Sequence, residues 1–244
     1  KKGAHVEGYI RKPDIEFFRA CNEAAGGMIK LVTLAPNMEG SEEFIRELHN
    51  EVVISIGHTA ADYDCAAEAM KEGALHVTHL YNAMNPMGHR EPGVIGAAAD
   101  NQDCMAEMIG DGIHIHPVTV RNTFRLFGDR RVVLISDSMM ATGMDDGQYE
   151  LGGQPVTVVG NLATLTEGGA IAGSATNLMD CMRTAVKKMN IPLESAVRCA
   201  TLNPAKSIGI DDKYGSLEEG KYANAVVLDK DLNIVSIIQK GQVK

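Results

Sequence analysis

Between residues 28 and 137, short apolar runs alternate with longer amphipathic stretches, and most of the runs lead into a group that can bind a metal or move a proton. The runs are MIKLVTLA (28–35), VVISI (52–56) leading into Gly57-His58-Thr59, LHVTH (75–79), MAEMI (105–109) ahead of DGIH, and VVLIS (132–136) ahead of Asp137. Their length, β-branched content and flanking breakers read as buried strands. Between them, helices are expected over 13–25, 41–50, 62–72 and 117–127. Pro opens the first and last of these, Ser41 caps the second ahead of two glutamates, and Gly73 stops the third. The small-residue segment 94–100 predicts a turn of helix. Strand–helix alternation at this spacing predicts βαβ units on a parallel sheet, and both a barrel and an open doubly wound sheet satisfy it.

After Asp137 the pattern changes. Residues 148–172 carry short β-prone runs separated by Gly-Gly and Gly-Asn, which predict inserted hairpins. Helix returns over 175–189, with Leu178, Met182, Ala185 and Val186 on one face, and over 192–207, broken before Pro204. The tail, residues 215–244, holds two strand-like pieces, AVVLD and LNIVSIIQ. It is too small to fold alone and needs a sheet to join.

Composition narrows the class. The chain has 244 residues, 45% of them hydrophobic, enough for one large α/β domain or one domain with a small satellite. A net charge of −9 without a Lys/Arg block argues against nucleic acid and anionic membrane surfaces as partners. Five scattered cysteines without a CxxC pair read as reduced thiols packed in a core. No apolar run approaches the ~20 residues that span a bilayer, and the first residues lack the apolar centre of a signal peptide. A soluble, cytoplasmic protein is expected.

Residues 75–93, LHVTHLYNAMNPMGHREPG, organise the candidate chemistry. A histidine delivered at the end of a strand and followed by a polar loop is how α/β barrels build active sites. His58 and His79, at the ends of neighbouring strands, could converge on a metal; two separately hydrogen-bonded histidines are the alternative. Asp137 ends a buried run, where a carboxylate is costly unless paired, metal-bound or catalytic. It is a natural general base or, alternatively, a turn cap. In DGIHIHP the i, i+2 spacing of His114 and His116 resembles a metal motif, but Asp111-Gly112 favours a loop. That leaves His116 opening the helix at Pro117 and His114 free to bind an anionic or hydroxyl group. Arg90 is a candidate buried charge whose planar fork suits phosphate or carboxylate; a solvated loop charge is the alternative. His5, His49, His76 and His89 carry no distinguishing context. Residues 168–174 are glycine-rich but lack the Gly-Lys-Ser/Thr ending of a P-loop.

Taken together, KKGAH, GHT, THLYNAM, REPG, DGIH, SDS, AGS and ATLNPAKSIG followed by GSLEEGKYANAVVLD resemble the N-acetylglucosamine-6-phosphate deacetylases of the amidohydrolase superfamily. They run in family order over essentially the whole chain, and THLYNAM with REPG is the most specific part. The resemblance implies a metal-dependent hydrolase with a TIM-like β/α barrel (residues 1–210), an inserted hairpin region and part of a small β-sandwich (residues 211–244). It implies hydrolysis of the acetamide of N-acetylglucosamine 6-phosphate. His58 and His79 become metal ligands, for zinc first, with iron, cobalt and manganese open, and Asp137 the catalytic acid/base. His5, Asn82, Ala83 and the backbone of Ile171, Ala172 and Gly173 contact the sugar. His114 and Arg90 bind the 6-phosphate, Arg90 reaching the neighbouring site of a homodimer. The family also carries a metal-ligating glutamate ahead of KKGAH. The chain is therefore expected to be a partial barrel of five strands that lacks one ligand. The rival expectations are another amidohydrolase acting on a cyclic or linear amide, and an inactive fragment.

Overall fold

The computed structural model describes residues 1–244. A single 3-10 turn, Glu7–Tyr9, precedes α1 (Ile15–Ala24), β1 (Leu31–Leu34), α2 (Ser41–Leu48), β2 (Val53–Ile56), α3 (Tyr63–Lys71), β3 (His76–Val77), α4 (Gly93–Asp100), β4 (Met105–Ile109), α5 (Pro117–Phe127) and β5 (Val132–Ile135). The five strands pair in parallel in the order β1-β2-β3-β4-β5, with β1 and β5 at the edges. A doubly wound sheet reverses its strand order at a switch point. Here the order follows the chain without reversal, the pattern of a barrel segment.

Alternation along the strands separates two faces. Ile54, Ile56, Val77, Ala106, Met108, Val132 and Leu134 join one buried cluster with Phe44, Ile45 and Leu48 of α2, Met70 of α3, Ile95 of α4 and Val120 and Phe127 of α5. The opposite face carries Thr33, Ser55, His76, Thr78 and Glu107, the polar residues placed at alternate positions of otherwise apolar strands. Hydrogen bonds tie that face together. Thr33 Oγ1 lies 2.8 Å from Thr78 Oγ1, and Ser55 Oγ lies 2.5 Å from Thr78 Oγ1 and 3.0 Å from His76 Nδ1.

Several boundaries differ from the expectation for local reasons. Asp14, not Pro13, starts α1, its side chain accepting the Phe17 N–H. Ser41 does not cap α2. That place falls to Gly40 at φ +88°, while the buried Ser41 hydroxyl donates to the Ala35 carbonyl. The strand 75–79 shrinks to two residues because the chain turns out of the sheet after Val77. Residues 94–100 form a full helix, α4, instead of a single turn.

The segment after Asp137 is a four-stranded antiparallel meander: β6 (Gly147–Leu151), β7 (Gln154–Val159), β8 (Leu162–Leu165) and β9 (Ile171–Ser174). Gly152 and Gly153 join β6 to β7 with both φ values positive, the conformation that a two-residue hairpin turn demands. It packs its own small core around Met139, Val156, Val158, Ala163 and Ala172. Then come α6 (Leu178–Met189), capped by Asn177, α7 (Leu193–Ala200) and α8 (Leu202–Ser207). The break falls at Thr201, three residues before Pro204, so the proline sits in the first turn of α8 where no N–H is needed.

The tail builds its own antiparallel sheet from three strands, β10 (Ala225–Leu228), β11 (Ile234–Gln239) and β12 (Gln242–Val243), and joins neither of the other sheets. Its apolar residues are largely exposed, Val235 at 64% and Val243 at 72%. Leu228 packs on the main core and Arg183 of α6 donates two hydrogen bonds to the Leu232 carbonyl, at 3.0 and 3.1 Å. Cys104, Cys181 and Cys199 are buried, Cys21 and Cys65 half-buried, and all five are free. No helix is long and apolar enough to cross a membrane.

Candidate active site

Three residues lie two positions beyond the ends of their strands: His58 after β2, His79 after β3 and Asp137 after β5. All three have positive φ, +48°, +30° and +51°, and Tyr81 and Ala83 add two more in the loop after His79. These make up five of the eight non-glycine residues with positive φ in the chain. Such conformations cost about 1–3 kcal/mol each and persist only where the surroundings impose them, most often at functional sites. Gly57 is imposed by close approach: a Cβ there would lie 2.8 Å from side-chain atoms of both Thr33 and Thr78.

The turns bring the two histidines together. His58 Nε2 and His79 Nε2 are 2.9 Å apart. His58 Nδ1 lies 3.2 Å from the Lys2 carbonyl, which can only accept. The proton therefore belongs on Nδ1, leaving the Nε2 lone pair facing His79. His5, in the same N-terminal segment, stacks on the His58 ring at a centroid distance of 4.1 Å. Gln154 of β7 fixes that segment by donating to the Ala4 carbonyl. Burial first, then the His5 and His79 charges, lowers the His58 pKa to about 4. Burial likewise lowers that of His79, partly offset by Asp137. Both rings are neutral near pH 7, the state in which imidazole binds a metal.

Two convergent neutral imidazoles fit a divalent cation of borderline softness. No group of three or more His, Cys, Asp or Glu side chains comes close enough to hold one. The donor set within residues 1–244 is therefore a pair, one ligand short of the usual three for a catalytic zinc.

Asp137 is exposed, unlike the buried carboxylate its strand implied, because β5 stops at Ile135 and the chain turns outward. Its backbone is clamped by β9: Ser174 N donates to the Asp137 carbonyl at 2.7 Å, and Met139 N to the Ser174 carbonyl at 2.8 Å. This sets Gly173 against Asp137, where a Cβ would lie 3.0 Å from the Asp137 carbonyl, while Ala172 is buried in the small core of the meander. His114 is held by Asp111, whose Oδ2 lies 2.6 Å from His114 Nδ1 while Oδ1 accepts the Ile113 and His114 N–H groups. Those bonds keep the Asp111 pKa low despite burial. His116 is exposed and caps α5 through Nδ1, as expected of a helix-opening residue.

Asn82 spends its side-chain amide on the His79 and Leu80 carbonyls, at 3.2 Å each, which leaves Oδ1 free. The Ala83 carbonyl accepts the Thr59 N–H. Arg90 is not a buried charge, since the whole stretch 86–91 faces solvent.

Two residues escaped the sequence reading. His76 is 1% exposed, its Nε2 has no partner, and burial lowers its pKa to about 4. Glu107 of β4 accepts the His79 N–H on Oε2 at 3.2 Å, and burial pushes its pKa up to about 7. The readable signal was the single polar residue inside each of LVTL, VISI and MAEM, and the pair that flanks Val77 in HVT.

The amidohydrolase family profile matches residues 1–244, and the chain belongs to the amidohydrolase family. Within that class it is similar to the N-acetylglucosamine-6-phosphate deacetylase of Bacillus subtilis (strain 168), 42% identical over 100% of this chain and 61% of that protein. The enzyme of the same name from Vibrio furnissii is 37% identical over 99% of this chain and 60% of its own length. A mutant N-acetyl-D-glucosamine-6-phosphate deacetylase from Mycobacterium smegmatis, solved in complex with N-acetyl-D-glucosamine-6-phosphate, superposes with a TM-score of 0.94 at 37% identity. That match covers 99% of this chain and 64% of that one. The chain thus spans somewhat less than two thirds of the length of these relatives.

Proposed function

We propose that the protein carrying this chain hydrolyses the acetamide of N-acetylglucosamine 6-phosphate, giving glucosamine 6-phosphate and acetate. The observation that carries this reading is the convergence of His58 Nε2 and His79 Nε2, with Asp137 near enough for its charge to act on His79. The deacetylase relatives supply the substrate class. His58 and His79 would hold a divalent metal, zinc before iron, cobalt or manganese, together with a further ligand. Bound there, the metal would polarise the acetamide carbonyl and make water acidic enough to attack. Asp137 takes the proton from the attacking water and returns it to the amine nitrogen as the C–N bond breaks.

Exposed and at the rim, Asp137 can meet water without crossing the core. His5, Asn82 through its free Oδ1, Ala83 and the Ile171–Gly173 backbone seat the sugar and its acetyl group. His114, fixed by Asp111, and Arg90 bind the phosphate. The exposure of Arg90 suits a residue that reaches the neighbouring site of a homodimer. A cytoplasmic location fits such a sugar phosphate. Residues 1–210 would form the catalytic unit and 211–244 part of a small β-domain.

Acetate release by the intact protein tests this reading. N-acetylglucosamine 6-phosphate should be cleaved, the unphosphorylated sugar at most weakly, and chelation should abolish the reaction until metal is restored. Cleavage of the unphosphorylated amide at an equal rate would favour another amidohydrolase specificity.

A further inference from the structure

β3 ends at Val77; the Thr78 N–H still donates to the Ile56 carbonyl of β2 at 3.0 Å, but the next two N–H groups, of His79 and Leu80, turn to β4 just where His79 must be aimed. One residue of the neighbouring strand takes both. The Glu107 side chain accepts the His79 N–H at 3.2 Å, and the Glu107 backbone carbonyl accepts the Leu80 N–H at 2.8 Å. The two bonds brace the peptide on either side of a non-glycine residue at φ +30°. This carboxylate is placed where an acid is costly. Its side chain is 16% exposed, and its nearest basic atom, His76 Nδ1, is 4.0 Å away and engaged with Ser55 Oγ. A carboxylate buried without a cation destabilises the fold unless something else requires it.

Resting on the metal-dependent reading above, we infer that Glu107 is a positioning residue for the metal centre, fixing the His79 backbone so that Nε2 meets His58 Nε2 and supplying a negative charge behind the ligand. Groups that orient metal ligands from behind act in this way, and losing one typically weakens metal affinity about 10- to 100-fold. The same arrangement accounts for the buried acid, because a divalent cation at the His58–His79 pair supplies the counter-charge that the chain lacks.

The test measures zinc affinity by chelator competition on the intact protein, for the wild type, Glu107→Ala and Glu107→Gln, alongside the thermal midpoint of each metal-free form. Glu107→Gln keeps an oxygen that can accept the His79 N–H. It loses the charge, however, and should bind zinc several-fold but less than about tenfold more weakly than the wild type, whereas Glu107→Ala should lose more, in the range given for such groups. Should Glu107→Ala fail to fold, the glutamine variant decides alone: a several-fold loss of zinc affinity supports the inference and an unchanged affinity overturns it. Wild-type affinity in a folded Glu107→Ala, even with a lowered metal-free midpoint, would make Glu107 merely structural and overturn the inference while leaving the metal centre standing. A wild-type protein that binds no zinc or other divalent metal would overturn both.

Discussion

At the scale of single residues, the site is made by backbone conformations that the side chains themselves disfavour. His58, His79 and Asp137 each adopt positive φ two residues past a strand, and each is held there by contacts from another element. Asp137 carries no packing load, being exposed, so its loss should be chemical and not structural. Asp137→Asn in the intact protein is expected to lower turnover about 10³-fold, within the range for a general acid–base group. Metal content and thermal midpoint should stay unchanged, and near-normal acetate release would remove Asp137 from its role.

His114 makes a different prediction, because Asp111 fixes which nitrogen faces the site. Asp111→Asn can present an amide N–H to Nδ1 and so reverse the tautomer. The KM for the sugar phosphate should rise about tenfold or more, the scale of one charge-assisted hydrogen bond. An unchanged KM would detach His114 from the phosphate.

At the scale of elements, the end of the sheet away from His58, His79 and Asp137 is locked by one buried cation. Arg131, immediately before β5, donates to six carbonyls: Ala98, Ala99, Asn101 and Cys104 around the end of α4, and Leu126 and Phe127 at the end of α5. The last carbonyls of a helix have no internal partners and carry its negative end, so the guanidinium satisfies two helix termini at once. Arg131→Met should cost about 3 kcal/mol by leaving those acceptors buried and unpaired. Urea unfolding would show it, and a loss below about 0.5 kcal/mol would contradict the staple, being no more than an ordinary surface substitution.

The strands were legible because apolar runs bounded by glycines and ionisable residues have few other readings; their order was not, since the alternation fits a barrel and a doubly wound sheet alike and only the family resemblance pointed to the barrel. The hairpins were legible from their Gly-Gly turns. The caps were less so. Ser41 looked like a cap by type but is buried against the Ala35 carbonyl, a tertiary contact that no local pattern contains. His79 and Asp137 were readable as strand endings, whereas Glu107 was hidden inside a strand. Only its hydrogen bonds with the His79 and Leu80 N–H groups, after the chain has turned out of β3, give it a role.

At the scale of the whole molecule, burial of ionisable groups sets how stability responds to acid. His58, His76 and His79 all have lowered pKa values, His58 and His76 to about 4, so the folded chain holds fewer protons than the unfolded chain between that value and about 6.5. Stability from these groups is fully present above about 6.5 and is lost as pH falls toward 4. Glu107, raised to about 7, acts in the opposite sense, favouring the folded state at low pH and losing that contribution as pH rises toward 7. Three groups against one leave a net loss on acidification. The urea midpoint should fall between pH 6.5 and 4.5 and fall less in His76→Gln. A flat profile would contradict the burial of these histidines as neutral rings.

The chain belongs to the amidohydrolase family, and its candidate site, the pairing of His58 with His79, lies just beyond the ends of parallel strands. The sequence named that pair but could not say that the two rings would meet Nε2 to Nε2. That depends on the left-handed turns after β2 and β3 and on the Lys2 carbonyl. The most direct measurement is the metal content of the intact protein, with acetate release measured on the same samples, before and after His58→Ala and His79→Ala are combined. The wild type should hold at least about one divalent ion per chain, and the double variant should fall to background in both metal and activity. A double variant that keeps its metal and still releases acetate would contradict the account at its centre.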